Sequence, residues 1–375
     1  MNIILTGGVT GGHFYPVIAV AEELRNIQKE NKVLEMNLFF LSVNSYDTKL
    51  LKKNGIKFQK ISAGKRRTYF SIKNFFDPFK TLLGIMQSFW YVFSIYPDVI
   101  FSKGGSASFP VVLAGWFFRI PIVVHESDTV PGRVNLWTGK RANSIMVAFE
   151  ESSKYFPKDK TLVVGRPMLN EIQTPSLIGA KEHLQIIDDI PVILFLGGSQ
   201  GAEKINNLVI DSLGKLIEKY YIIHQTGRNN YLAVKKATEM MLEHNEFKSR
   251  YKVFDYLDPK GMSMSASLSD IIVSRSGSAL FEIASWAKPS ILIPLSIAHA
   301  NHQYYNALAY EKTGACIVLE EQNLKASVLS LQIEKIINDQ ELKDKMSEGA
   351  KEFHKESAGR KVAEKIFSIA DEHQK

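Results

Sequence analysis

Cysteine is almost missing from this sequence: Cys316 is the single example in 375 residues. That excludes a disulfide framework and a thiolate zinc site, and it suits a reducing compartment. Long apolar runs are missing too. The charge-free apolar stretch Thr81 to Pro97 has 17 residues, short of the roughly 20 that cross a bilayer. It is expected to be a helix inside a domain or on a membrane surface. No segment is of low complexity. The opening residues, Met1-Asn2-Ile3-Ile4-Leu5, lack the basic region and apolar length of a signal peptide, and glycines follow at once. The expected location is therefore cytoplasmic. An acidic excess is also absent, since 46 Lys and Arg face 39 Asp and Glu, a formal charge of +7. Such a balance favours an anionic partner without choosing among nucleic acid, phospholipid and nucleotide. What is present is globular material, 45% hydrophobic and 23% charged, long enough for two or three domains at about 150 residues each.

Short apolar runs alternate with helix-length segments along the chain. Strands are expected at Asn2–Thr6, Leu38–Val43, Phe58–Ser62, Val99–Ser102, Ile122–His125 and Ile145–Ala148, then at Val192–Leu196, Tyr221–His224, Lys252–Phe254, Ile271–Ser274, Ile291–Pro294 and Cys316–Leu319. Val, Ile and Phe fill these runs without clean alternation, as in parallel strands buried on both faces. Strand–helix alternation implies right-handed crossovers and a doubly wound sheet. The pattern occurs twice, with the polar stretch Lys158 to Pro191 between. The expected organisation is an α/β chain with a Rossmann-like domain over 1–165, a second over 166–345, and a charged helical tail over 346–375 that packs back on the first domain.

Each half opens with a strand, a glycine cluster and a helix: Gly7-Gly8-Val9-Thr10-Gly11-Gly12-His13 in the first, Gly197-Gly198-Ser199-Gln200-Gly201 in the second. Glycines at a strand–helix turn let backbone N–H groups face an anion, and the helix dipole adds to the attraction. One such loop is equally a plain turn; two, opening matched domains, favour phosphate binding. Neither loop ends in Gly-Lys-Ser/Thr, which disfavours nucleoside triphosphate hydrolysis. Neither fits G-x-G-x-x-G, and the second strand does not end in an acid, which disfavours a dinucleotide redox enzyme. A two-domain sugar-nucleotide transferase fits what is left. No metal and no cofactor are expected.

Further loops carry polar residues at expected strand ends. Lys103-Gly104-Gly105-Ser106 is a third glycine turn; Gly104 and Gly105 are candidates for a second phosphate, with Lys103 nearby, and a plain turn is an equal reading. His125-Glu126-Ser127-Asp128 follows a buried strand where α/β clefts lie. His13 begins a helix; a neutral histidine there suits a general base, with capping or phosphate contact as the competing role. In the second half, Glu282 follows Ser274-Arg275-Ser276-Gly277-Ser278 and suits ribose hydroxyls or is simply an exposed helix charge. Gln303 and Asn306 share a helix face beside His302 and suit sugar hydroxyls, with a solvated helix N-terminus as the competing reading.

Seven segments then appear in order: GGVTGGHFYP at Gly7, FSKGGSASFP at Phe101, HESDTVPG at His125, GGSQGA at Gly197, HQTG at His224, SRSGS at Ser274 and HQYYNA at His302. Together they resemble the bacterial N-acetylglucosaminyltransferases that convert lipid I to lipid II in peptidoglycan synthesis. The resemblance implies a GT-B fold, two Rossmann-like domains facing across a cleft, and an inverting transfer from UDP-N-acetylglucosamine to undecaprenyl-pyrophosphoryl-muramoyl-pentapeptide. It implies that Ser199 contacts the diphosphate, Glu282 the ribose, and Gln303 and Asn306 the sugar. Thr10, Gly11 and Gly12 would reach the donor, with Asp128 and Arg166 as further substrate contacts. His13 or Glu126 would deprotonate the acceptor hydroxyl. The family often has Asn where Asp128 stands. Its arginine in a G-x-P-x-R pattern would fall at Leu169, and Arg166 is the expected substitute. A different UDP-sugar transferase of this fold, an epimerase, and a non-catalytic nucleotide-binding scaffold are the competing readings.

Between Lys60 and Pro97 six basic residues face one acid, Asp77, among ten of the chain's 40 aromatics. Lys65, Arg66 and Arg67 with Phe75, Phe76 and Phe79 are the pattern of a segment that lies on an anionic membrane. Peripheral binding to the cytoplasmic face is therefore expected, with no nucleic-acid partner.

Overall fold

Runs such as Ile3-Ile4-Leu5 and Ile193-Leu194-Phe195 have no polar face, so they are stable only with both faces covered. A computed structural model of the chain places them at the centres of two all-parallel sheets. It describes every residue except Val9, 65–72, 199–200, 297–300 and Lys375, and it describes no side chain over 73–75. The chain divides into two units, one made of Met1–Leu169 plus the residues from Lys355 on, the other of Asn170–His354.

The first unit runs β1 (Asn2–Thr6), α1 (Gly11–Glu30), β2 (Asn37–Ser42), α2 (Thr48–Lys53), β3 (Ile56–Lys60), α3 (Lys73–Ile95), β4 (Val99–Ser102), α4 (Ser108–Phe117), β5 (Ile122–Glu126), α5 (Arg133–Gly139), β6 (Ser144–Val147) and β7 (Thr161–Val163). Its strand order is β3-β2-β1-β4-β5-β6-β7. The order reverses between β1 and β4, and in open α/β sheets ligands bind at the carboxyl ends of the strands where that happens. Register brings the loops together: Thr6 pairs with Ser102, and Ser102 with Val124.

The second unit holds α6 (Asn170–Gln173), α7 (Ala180–Leu184), β8 (Val192–Leu196), α8 (Glu203–Leu216), β9 (Tyr221–Gln225), α9 (Tyr231–Met241), β10 (Tyr251–Phe254), α10 (Pro259–Leu268), β11 (Ile271–Ser274), α11 (Ala279–Ser285), β12 (Ser290–Leu292), α12 (His302–Glu311), β13 (Cys316–Val318), α13 (Ala326–Asn338) and α14 (Gln340–Phe353). Its order, β10-β9-β8-β11-β12-β13, reverses between β8 and β11. There Leu196 pairs with Ser274 at the strand ends.

Two details differ from the sequence reading. β7 lies in the stretch read as a polar connection. It is a three-residue edge strand whose Leu162 and Val163 are nearly half exposed, too short and too wet to register as a buried run. The helical tail also divides. Residues 346–353 belong to α14 in the second unit, where Gly349 lies so close to the Thr313 carbonyl that a Cβ would sit 2.2 Å from it. The return to the first unit begins at Lys355 and is made by α15 (Ala358–Gln374).

On α15, Val362, Ala363, Ile366 and Ala370 are fully buried, at the spacing that keeps one helix face on α1. Arg360 forks onto Glu30 at 2.9 and 2.6 Å, an exposed pair of small energetic weight. The apolar face holds the helix. Ile366→Ala should therefore lower stability by about 2–5 kcal/mol. Urea denaturation checks this; an unchanged midpoint would mean that α15 does not support the first unit.

Candidate active site

The first glycine loop carries a histidine against the third. Gly8 has no room for a side chain, since a Cβ there would lie 2.9 Å from the His13 Nδ1. Gly105 has a φ of +84° and its Cβ would lie 2.9 Å from the Gly8 Cα and 3.4 Å from the His13 Nε2. The imidazole thus sits where the two loops nearly touch. His13 Nδ1 and Thr10 Oγ1 are 2.9 Å apart; with the proton on Nδ1, the ring donates to Thr10 and keeps the Nε2 lone pair. Burial lowers the His13 pKa to about 4, helped by Lys103 and Arg166 and opposed by Asp128. The ring is neutral at pH 7. Gly11, buried, begins α1 under the Tyr46 hydroxyl, while Gly12 is open on its Cβ side.

Glu126 is placed as a scaffold. It ends β5, is 4% exposed, and accepts four hydrogen bonds. Ser127 N and Asp128 N donate to Oε1 at 2.7 and 3.0 Å; Gly132 N and Asn135 Nδ2 donate to Oε2 at 3.0 and 2.9 Å. Burial, then Asp128, raises its pKa against the pull of Lys103 and these donors. Both oxygens are occupied in shaping the loop, so the base reading of Glu126 left open by the sequence loses its geometric support. Asn135 meanwhile presses on Gly104, whose φ is +85° and whose Cβ would meet Asn135 Oδ1 at 2.4 Å. His125 is fully buried and its Nε2 bonds the Gly165 carbonyl at 2.9 Å. That bond ties the loop after β5 to the Gly165-Arg166 segment. The result is a buried group of Lys103, His125, Glu126 and Arg166 with the partly exposed His13 and Asp128.

The second unit repeats the turn with different partners. Gly198 and Gly201 take positive φ, and a Cβ on Gly201 would lie 2.1 Å from Asn230 Nδ2. Ser199 lies outside the described residues. Glu282 sits in the first turn of α11, partly exposed. Gln303 is partly exposed; its Oε1 accepts from Leu295 N at 3.0 Å and its Nε2 lies near Gly277. Asn306 is fully buried and donates to the Ser276 carbonyl at 3.2 Å. Its side chain braces the loop after β11.

One cluster escaped the sequence reading. The side chain of Glu321 is 2% exposed and pairs with Arg275 at 2.6 Å and Lys204 at 3.1 Å, and Ser296 N donates to it at 3.2 Å. Burial alone would raise its pKa, but Ser296, Arg275 and Lys204 hold it at about 2. It lines a cavity of about 280 Å³ with Leu295, Ser296, Asn301, Tyr304 and Glu320. Its partners are spread from residue 204 to residue 296, so no local pattern marked it. Among the described residues, no group of three or more His, Cys, Asp or Glu could hold a metal ion.

The expected membrane segment is described in part. Lys65, Arg66 and Arg67, and the Phe75 side chain, lie outside the described residues. Phe76 and Phe79 are more than half exposed, as are Met86, Trp90 and Phe93. With Leu83 these residues recur every three or four positions, one stripe along α3. Phe117, at the end of the packed α4, is 64% exposed, and the Phe89 ring lies tilted against it with centroids 5.1 Å apart. Among the described residues, no helix is long and apolar enough to cross a membrane.

Glu126→Gln tests the scaffold role. The amide would turn its own N–H groups toward two donors, so stability should fall by about 1–3 kcal/mol. Thermal or urea denaturation reads this directly; wild-type stability in the variant would show that the four bonds do not organise the loop.

Residues 3–147 match the glycosyltransferase family 28 N-terminal domain, and residues 192–361 match the family 28 C-terminal domain. A Clostridium tetani protein is 36% identical over 329 residues, 87% of each chain. A Clostridium novyi protein is 34% identical over 377 residues, covering 100% of this chain and 99% of its own. Both are named UDP-N-acetylglucosamine–N-acetylmuramyl-(pentapeptide) pyrophosphoryl-undecaprenol N-acetylglucosamine transferase. Among solved structures, Acinetobacter baumannii MurG superposes with a TM-score of 0.73 at 23% identity, covering 98% of this chain and 99% of that one. A Neisseria meningitidis UDP-GlcNAc 2-epimerase reaches 0.67 at 17% identity, covering 98% and 100%. Transferase and epimerase share this GT-B fold, so the fold leaves the reaction open. The sequence relatives decide the family: the chain belongs to glycosyltransferase family 28, within the family of undecaprenol-linked N-acetylglucosamine transferases that these relatives represent.

Proposed function

We propose that this chain is a hexosyltransferase that moves N-acetylglucosamine from UDP-N-acetylglucosamine to the 4-hydroxyl of the lipid-linked muramoyl-pentapeptide, the lipid I to lipid II step of peptidoglycan synthesis. The names of its relatives support the reaction. The observation that carries the site is a neutral His13 wedged between two glycine loops at the β1/β4 reversal. In this reading His13 Nε2 takes the proton of the acceptor hydroxyl as its oxygen attacks the anomeric carbon. The bond from that carbon to UDP breaks on the opposite face, and UDP leaves with the electron pair, inverting the centre. Gly104 and Gly105 receive the acceptor diphosphate. Glu282 takes the ribose and Gln303 the sugar, with Ser199 assigned to the donor diphosphate. Thr10, Gly11, Gly12, Asp128 and Arg166 complete the substrate contacts. Glu126 shapes the loop, and Asn306 supports the loop that bears Ser276.

Turnover of a short-chain lipid I analogue tests the function, and its absence would sink it. His13→Ala should lower kcat about 10²–10⁴-fold while UDP-N-acetylglucosamine affinity stays within a few fold. A kcat near wild type would remove His13 from the chemistry.

The α3 stripe supports peripheral attachment to an anionic membrane. Its rings are suited to the headgroup boundary, and Lys65, Arg66 and Arg67 precede it in sequence. A Phe76/Phe79/Trp90→Ser variant should lose most sedimentation with vesicles containing anionic lipid yet keep turnover of the water-soluble analogue. Equal sedimentation of variant and wild type would rule out this face as the anchor.

A further inference from the structure

Lys103 is the most thoroughly buried cation of the site, at 3% exposure. It follows β4 directly, and its N–H donates to the Thr6 carbonyl at 2.8 Å. Its Cβ lies 3.3 Å from where a Cβ on Gly7 would stand, so the side chain leaves the sheet between the two glycine loops. Among the described residues its ammonium makes no hydrogen bond or ion pair. The groups facing it are His13 on α1, His125 and Glu126 on β5, Asp128 in the next loop and Arg166 after β7. The histidines are neutral and Arg166 repels. Glu126 attracts, but its two oxygens already hold four N–H donors. An enclosed ammonium that finds no partner within the protein depends on what little solvent reaches it, and an anion entering the site offsets that cost.

We propose that Lys103 grips the diphosphate of the lipid-linked acceptor, its ammonium bonding phosphate oxygens over the Cβ-less surface of Gly104 and Gly105. This rests on the reading of the acceptor loops given above. A compact ammonium is a suitable phosphate partner because it offers three donors and a full charge at one point. The site also links binding to chemistry. Lys103 and Arg166 depress the basicity of His13, so a phosphate that offsets them makes His13 a stronger base once the acceptor is in place.

Steady-state kinetics with a water-soluble, short-chain diphosphate acceptor and saturating UDP-N-acetylglucosamine provide the test. Lys103→Met should raise acceptor KM roughly 10- to 100-fold, with donor KM unchanged, and Lys103→Arg should restore most of it. Burial lowers the Lys103 pKa to about 8, with Arg166 helping and Glu126 and Asp128 opposing. Only the protonated side chain binds the anion, so wild-type acceptor KM should climb as pH rises through 8. Lys103→Arg should stay flat to about pH 9.5, because a guanidinium keeps its proton. An acceptor KM within twofold of wild type in Lys103→Met overturns the proposal, as does a wild-type KM that is flat across that range. If Lys103→Met does not fold, the wild-type pH profile decides. A wild-type protein that transfers nothing would overturn the proposed function instead.

Discussion

The site depends on the closeness of two backbones. β1 and β4 are neighbours in register, and the loops that leave them converge until Gly8 and Gly105 are nearly in contact. A Cβ on either residue would displace the other loop or the imidazole. Each half of the contact thus requires glycine for a different reason: Gly105 for its positive φ and its neighbour, Gly8 for the ring packed over it. The imidazole of His13 fills the space that remains. Its orientation and its neutrality follow from that enclosure.

Enclosure also explains the ionic arrangement. Six titratable groups meet in or beside a volume that excludes most water, where each charge requires a partner or a proton change. Glu126 resolves this with four N–H donors, all but one from the backbone of its own loop. His13 and His125 resolve it by staying neutral. Lys103 does not resolve it within the protein. A buried ionic centre that is left incomplete is a feature of sites built to receive a ligand.

The second unit applies the same topology to another end. The reversal at β8/β11 again opens loops at strand ends, and there Arg275 and Lys204 pair with Glu321. Gln303 and Asn306 divide their roles by burial. One helix turn apart on α12, the first is partly exposed and the second is sealed against Ser276.

Much of this was legible in the sequence. Apolar runs without alternation marked the buried parallel strands, because a strand covered on both faces has no polar side to show. Glycine clusters between strand and helix marked the loops, because those turns call for a positive φ or for the space a Cβ would take. The stripe on α3 began to show at Phe76 and Phe79. What the tertiary structure decided were the matters of distance. Glu126 and His13 were equal as bases by residue type and loop position; they separate only when the four donors to Glu126 are counted. Asn306 read as a sugar partner by spacing on its helix; its burial against the Ser276 carbonyl is a matter of packing. Glu321 and its cations carried no local signal, since their partners are far apart in the chain. Lys103 read as one cation beside a turn. Its significance comes from the packing of β1, β4 and β5, because the energy of a charge is set by what surrounds it in space.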